Sequence, residues 1–220
     1  MQLNLDLCQD LDFEYFLGIY DKDEINFLLE QRDDDSIFVD VGANQGFYSL
    51  CVSKKVMNSR VLAIEPDPYH VCKFQKNILL NKVSNITLCQ YALSDTNEER
   101  ELMINTGGNR AGNSLLLSQT SFTGKQEECI NVSCKTLLDA LRENNIHRVS
   151  ALKMDIEGYE YPVLNAFFNS APRGMYPKAV VVEAFGHTIK PAGGSPIELL
   201  ISKGYKLVNH KNYNFFFLLA

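Results

Sequence analysis

Two apolar runs end in side chains that could do acid–base chemistry. Ala151-Leu152-Lys153-Met154 leads into Asp155-Ile156-Glu157-Gly158, and Ala179-Val180-Val181-Val182 leads into Glu183-Ala184-Phe185-Gly186-His187. Each run reads as a buried strand that delivers its trailing acids to one edge of a sheet, and open α/β sheets bind ligands outside such carboxyl ends. There Asp155, His187 or Glu183 can take a proton from a nucleophile, an effect of about 10²–10⁴-fold in rate. Glu157 can orient a substrate or a lysine. The same acids suit Mg²⁺, which prefers carboxylate and water oxygens, so Mg²⁺ stays a possible cofactor and no metal ligands are assigned. Plainer readings stand beside these: Asp155 as a helix N-cap, and His187 as a solvated loop histidine. Two acids bracketing one isoleucine are harder to explain by capping alone.

The partner of these acids is set by Ile37–Gly46, IFVDVGANQG. Phe38-Val39-Asp40-Val41 reads as a short buried strand, Gly42 to Gly46 breaks it, and Phe47, Leu50 and Cys51 open a helix. Strand, glycine turn and helix begin a nucleotide-binding α/β sheet, because glycine admits a close ligand and the helix start offers unpaired N–H groups. The spacing is G-x-x-x-G with an acid two residues before the first glycine, not the dinucleotide pattern G-x-G-x-x-G. It suits a cofactor without a pyrophosphate, such as S-adenosylmethionine. Val61-Leu62-Ala63-Ile64 ends in Glu65, placed to accept hydrogen bonds from both ribose hydroxyls or, more plainly, to face water.

The remaining elements position these two groups. Residues 1–34 read as an N-terminal arm or partial lid followed by a helix over Asp21–Glu30, part of the same domain; the acidic run Asp33-Asp34-Asp35 is a solvated loop. The main domain spans 35–220. Asp67 caps a helix with Pro68 at its first position, running through Val71, Phe74 and Ile78 to Asn81. Ile86–Gln90 is a third strand leading into Tyr91-Ala92-Leu93, a segment placed to flank an adenine ring. Residues 96–134 depart from βα alternation: Glu101–Ile104 and Ile130–Cys134 read as strands of a β-excursion around a glycine-rich stretch, either folded over the cofactor or a plain surface loop. Thr136–Asn144 is a helix, and a further helix follows Gly158 with Pro162 in its first turn. Ser195-Pro196 caps another, and Tyr205–Val208 with Asn214–Leu219 forms a terminal hairpin. The fold expected is α/β, a Rossmann-like doubly wound sheet, mostly parallel with a C-terminal antiparallel hairpin.

At 220 residues with 45% hydrophobic content, one α/β domain with one sizeable core is expected. A net charge of −6 and the lack of a basic stripe argue against nucleic acid as a partner. The first residues are acidic and contain no apolar run of signal-peptide or membrane-span length. Six cysteines form no C-x-x-C pair, and Cys51, Cys72 and Cys89 fall in apolar patterns that read as core. A reduced, cytoplasmic protein without membrane association or a cysteine metal site follows.

The chain resembles the FkbM family of S-adenosylmethionine-dependent methyltransferases in VDVGANQGFYS (39–49), AIEPDP (63–68), the helix end at Asn77 and Asn81, ALSD (92–95), GNSL (112–115) and LKMDIEGYE (152–160). VVVEAFGH (180–187) matches more loosely, and Gln45 stands where the family usually has an aliphatic residue. The resemblance implies the class I methyltransferase fold and methyl transfer to a hydroxyl of a sugar, glycan or secondary metabolite. It implies that Asp40, Gly42, Ala43, Asn44 and Gly46 hold the methionine part of S-adenosyl-L-methionine, with Tyr48 and Ser49 also in the cofactor site. Glu65 and Pro66 would hold the ribose, and Tyr91, Ala92 and Leu93 would flank the adenine. Asn113, Ser114 and Asp155 complete the implied contacts. An amine or amide acceptor on a peptide, a non-catalytic adenosyl-binding module, and a nicotinamide-dependent oxidoreductase are the alternatives; the missing G-x-G-x-x-G counts against the last.

Overall fold

The computed structural model describes residues 1–7, 9–18, 22–31, 35–56, 58–105, 112–115, 127–184 and 192–220. Two N-terminal helices, α1 (Asp10–Leu17) and α2 (Lys22–Glu30), precede β1 (Ile37–Val41), α3 (Phe47–Lys55), β2 (Arg60–Ile64), α4 (Pro68–Asn81) and β3 (Ile86–Cys89). A short β4 (Ala92–Leu93) and the long β5 (Glu98–Asn105) and β6 (Glu127–Lys135) follow. The chain then resumes with α5 (Leu137–Glu143), β7 (Ala151–Met154), α6 (Glu160–Ser170), β8 (Ala179–Glu183), α7 (Pro196–Ser202), β9 (Tyr205–Lys211) and β10 (Asn214–Leu219).

The main sheet runs β3-β2-β1-β7-β8-β10-β9. Its first five strands are parallel, and β10 enters antiparallel to β8 and pairs with β9 as the terminal hairpin. Alternate residues of each central strand face opposite layers, which is why the central β1 and β7 are apolar save for Asp40 and Lys153. Val39, Val41, Leu152, Val180 and Val182 pack with Leu141, Val163, Leu164, Phe167 and Leu200 of α5, α6 and α7. Phe38, Val61, Ala151 and Val181 pack on the other side with Ile25, Leu28 and Leu29 of α2 and Val52 of α3. The winding direction reverses between β1 and β7, which lie side by side, and this leaves a crevice at their carboxyl ends.

The excursion is a separate three-stranded sheet, β4-β6-β5, in which β5 and β6 pair from Glu98↔Cys134 to Asn105↔Glu127. Both strands are longer than their apolar cores because backbone pairing extends into the polar ends. Thr106–Ala111 of the glycine-rich stretch, Asp33 and Asp34, and His187 lie outside the described residues. Helix α4 starts as its sequence dictates, with the Asp67 carboxylate accepting the Tyr69 N–H at 2.9 Å. One core expectation is corrected: Cys72 is exposed, because α4 turns Val71 and Phe74 inward and leaves Cys72 on its outer face. Cys51 and Cys89 are half-buried.

Candidate active site

The glycine turn after β1 is held by both backbone and side-chain hydrogen bonds. The N–H groups of Gly42 and Ala43 both donate to the Ile64 carbonyl at 3.0 Å, tying the turn to the end of β2. Asn44 adopts φ +51 and donates its N–H to Glu65 Oε2 at 2.8 Å, and the Asp67 N–H reaches Glu65 Oε1 at 2.9 Å. Burial pushes the Glu65 carboxyl up to about 7 against the lowering effect of these two bonds. The end of β2 therefore presents a buried carboxyl, already gripped by the amides of Asn44 and Asp67, to the crevice.

The opposite wall is acidic around the buried Lys153. Lys153 is only 3% exposed; its Nζ lies 3.1 Å from Asp155 Oδ2 and 4.7 Å from the centre of the Tyr48 ring. Burial disfavours its charge, but the negative groups Asp155, Asp40 and Glu24 outweigh that and raise its pKa. Asp155 is held below the usual carboxylate range: burial opposes this, and Lys153 with a hydrogen bond to Glu183 prevails. Glu183 is pushed up to about 12 by burial, the Asp155 charge and that same hydrogen bond. Burial and the charges of Asp155 and Glu160 raise Glu157 well above its ordinary value. These surroundings favour the proton on Glu183 and the charge on Asp155, with Glu183 donating a hydrogen bond to Asp155. Ligand oxygens of Asp155, Glu157 and Glu183 lie within 4.8 Å of one another, a spacing that also suits a divalent cation.

Between these walls lies a cleft of about 1020 Å³, counting its open mouth. Gly42, Ala43, Asn44, Tyr48, Glu65 and Pro66 line it on the turn side, and Ala92, Leu93 and Asn113 on the side of the excursion. Asp155, Glu157 and Glu183 line its far end with Lys153. Five residues of the implied cofactor set stand behind the wall instead of in it. Asp40 is fully buried and accepts the Ser49 N–H at 3.1 Å and the Ser49 hydroxyl at 2.6 Å, so the two tie β1 to α3. Gly46, at φ +87, leaves space for the Phe74 ring, which a Cβ would meet at 2.0 Å. Tyr91 packs against the main core, with Lys135 Nζ 5.0 Å from its ring centre. The Ser114 hydroxyl donates to the Glu157 carbonyl at 2.8 Å.

Several site residues escaped the sequence reading. Lys153 had a visible signal, a charge inside an otherwise apolar strand, since lysines are almost never fully buried unless paired. Leu11 and Tyr15 of α1 line the cleft, and their i, i+4 spacing places them on one helical face. Their helix is docked by Asp12, which is buried and bonded to Gln45 Nε2 and Lys73 Nζ. Gln45, the departure from the family's aliphatic residue, is therefore matched to the N-terminal helix. Glu160 caps the acid loop: its Oε1 accepts the N–H groups of Ile156 at 2.9 Å and Gly158 at 3.2 Å. Asp155 does not cap α6, whose N-terminus has no side-chain cap.

A sequence model of the methyltransferase FkbM domain matches residues 40–207, which hold both the glycine turn and the acid loop. The chain belongs to this FkbM methyltransferase family. Among curated relatives, "Methyltransferase 1" of Beauveria bassiana (strain ARSEF 2860) is 32% identical over 146 residues, covering 60% of this chain. The chain spans 58% of that relative's length. "Methyltransferase sdnD" of Sordaria araneosa is 28% identical over 201 residues, covering 79% of this chain and 74% of the relative. The fold is that of class I methyltransferases. A putative rRNA-methylase from Clostridium thermocellum superposes with a TM-score of 0.54 at 11% identity, over 93% of this chain and 96% of that one. The precorrin-6y C5,15-methyltransferase of Geobacter metallireducens GS-15 gives 0.50 at 13% identity, over 90% and 87%. A fold with a member so described lends no support to excluding nucleic acid on net charge. Among the described residues no helix is long and apolar enough to cross a membrane.

Proposed function

We propose that the protein is an S-adenosylmethionine-dependent O-methyltransferase acting on a hydroxyl of a sugar, glycan or secondary metabolite. The observation that carries this reading is the cluster of Asp155, Glu157 and Glu183 around a buried Lys153, 3.1 Å from Asp155, across the cleft from Glu65. The residues fit the cofactor. Gly42, Ala43 and Asn44 line the cleft at the turn, and Glu65 beside them offers the ribose a carboxyl whose oxygens each accept one amide. Bound there, S-adenosylmethionine supplies a methyl group on a good leaving group, so alignment of the acceptor is the main requirement.

The chain's own residues supply the rest. An alcohol oxygen is a poor nucleophile until its proton is taken. Asp155 is the carboxylate available to take it, and Lys153 keeps that carboxylate charged. Glu183 holds Asp155 in place through their shared hydrogen bond, and Glu157, whose burial and acidic neighbours favour its protonated form, is placed to donate a hydrogen bond that orients the acceptor. Asp40 and Ser49 hold the glycine turn in register from behind, and Tyr15 and Leu11 shield the mouth from water.

Transfer of labelled methyl from S-adenosylmethionine into fractionated cell extract tests the reading, with calorimetry of S-adenosylhomocysteine in parallel. Label in a small-molecule or glycan fraction is the expected result. Label in a peptide or RNA fraction overturns the acceptor class, and absence of binding overturns the whole reading. Binding without label in any fraction points to an adenosyl-binding module. A chelator in the same assay decides whether the three carboxylates work with a divalent cation.

A further inference from the structure

The backbone at Glu157 is in an uncommon state. Glu157 has φ +56 and is followed by Gly158 at φ +97, so a side-chain-bearing residue occupies the left-handed region at the edge of the cleft. Such conformations persist only where the surroundings hold them, and they cluster at functional sites. Two contacts hold this one. From within the loop, the Glu160 carboxylate takes the N–H groups on either side of Glu157, those of Ile156 and Gly158. From across the cleft, the buried Ser114 hydroxyl donates to the Glu157 carbonyl.

Ser114 is itself anchored, its backbone exchanging hydrogen bonds with Met103 of β5 at 2.9 and 3.2 Å. Its neighbour Asn113 reaches the other way. Asn113 Nδ2 donates to Asp67 Oδ2 at 2.9 Å, and its Oδ1 accepts the Asn105 N–H at 3.0 Å. Asp67 in turn gives its N–H to Glu65. Two consecutive residues thus join the loop after β2, on the ribose side, to the loop after β7, on the acid side.

We propose that Asn113 and Ser114 form a bridge across the cleft that positions Glu157, Ser114 directly and Asn113 by fixing where Ser114 stands. Neither is a catalytic residue; both act through the Glu157 backbone. Because one bridge touches both loops, occupancy of the ribose side tightens the acid side. This last consequence rests on the cofactor reading given above; the bridge itself does not.

Residue-resolved amide exchange on the full chain tests it. In ligand-free protein, Ser114→Ala is expected to speed exchange at the Ile156 and Gly158 amides by about tenfold, the factor that one lost hydrogen bond supplies. Ser114→Thr, which keeps the hydroxyl, returns exchange to within about twofold of wild type. Saturating S-adenosylhomocysteine slows these amides in wild type and has less than half that effect in Ser114→Ala. Equal ligand-free exchange in wild type and Ser114→Ala overturns the bridge, as does Ser114→Thr exchanging as fast as Ser114→Ala. If Ser114→Ala does not fold, Asn113→Ala takes its place with the same expectation. Wild-type protein that does not bind S-adenosylhomocysteine overturns the cofactor reading instead, and the ligand-free comparison still decides the bridge.

Discussion

A Cβ placed on Gly42 would lie 1.8 Å from the carbonyl oxygen of Asp155. The glycine turn and the acid loop, far apart in sequence, are therefore in direct backbone contact, and the Asp155 N–H donates to the Val41 carbonyl at 3.1 Å. The two halves of the site can only move together.

Gly42→Ala is accordingly expected to be severe. Both the positive φ of +74 and a clash with backbone oppose it, and a loss of about 3 kcal/mol or more is expected. Gly18→Ala is the control: φ is +67 but nothing lies within 4 Å, so about 1–2 kcal/mol is expected. Urea denaturation of both variants checks the difference, and similar losses would contradict the role assigned to the contact.

Asp155→Asn is expected to leave affinity for S-adenosylhomocysteine within a few-fold and to lower turnover of the labelled acceptor at least about 10²-fold. Lys153→Met removes the cation that outweighs burial at Asp155, so the acid limb of the pH–rate profile should move to higher pH. Breaking this buried pair also costs about 3–5 kcal/mol. An unmoved limb would show that Lys153 does not set the charge of Asp155.

Glu160 makes a prediction about pH. Burial raises its folded pKa to about 7, above the ordinary 4.5, despite the amide bonds that lower it. The fold thus favours the protonated form, and that stability is fully present below 4.5 and lost as pH rises through about 7. Glu160→Gln keeps an oxygen for the two amides without the buried charge. It should be more stable than wild type by about 2–3 kcal/mol at pH 8, with the gap closing at pH 5. Denaturation at the two pH values reads the effect directly.

Asp12→Ala leaves Lys73 buried without its carboxylate and Gln45 without its acceptor, a cost of about 3 kcal/mol. Helix α1 should then release Leu11 and Tyr15 from the cleft, seen as faster proteolysis near the N-terminus. Adding Gln45→Leu and Lys73→Met should recover part of the stability without re-docking the helix, because the apolar pair no longer needs Asp12. Recovery of protease resistance in the triple variant would show that apolar packing alone docks α1.

The sequence by itself determined the order of strands and helices apart from α1 and the short β4, the glycine turn, and the sheet edge to which Asp155, Glu157 and Glu183 belong. These are legible because strand periodicity, capping residues and glycine act within a few positions of the chain. FkbM membership was legible for the same reason, since its motifs are continuous stretches. Which way each acid is shifted, and which residues face the cleft, only the tertiary structure decided. The carboxyls of Asp155 and Glu183 are shifted in opposite directions because Lys153 lies beside one and burial dominates the other. Asp40, Ser49 and Tyr91 sit in the expected motifs, yet their side chains point behind the wall that their neighbours form. Leu11, Tyr15 and the Asn113–Ser114 bridge reach the site from distant parts of the chain, and no local pattern encodes where such segments dock. That depends on complementary partners, Asp12 with Gln45 and Lys73, and Asn113 with Asp67, which only folding brings together.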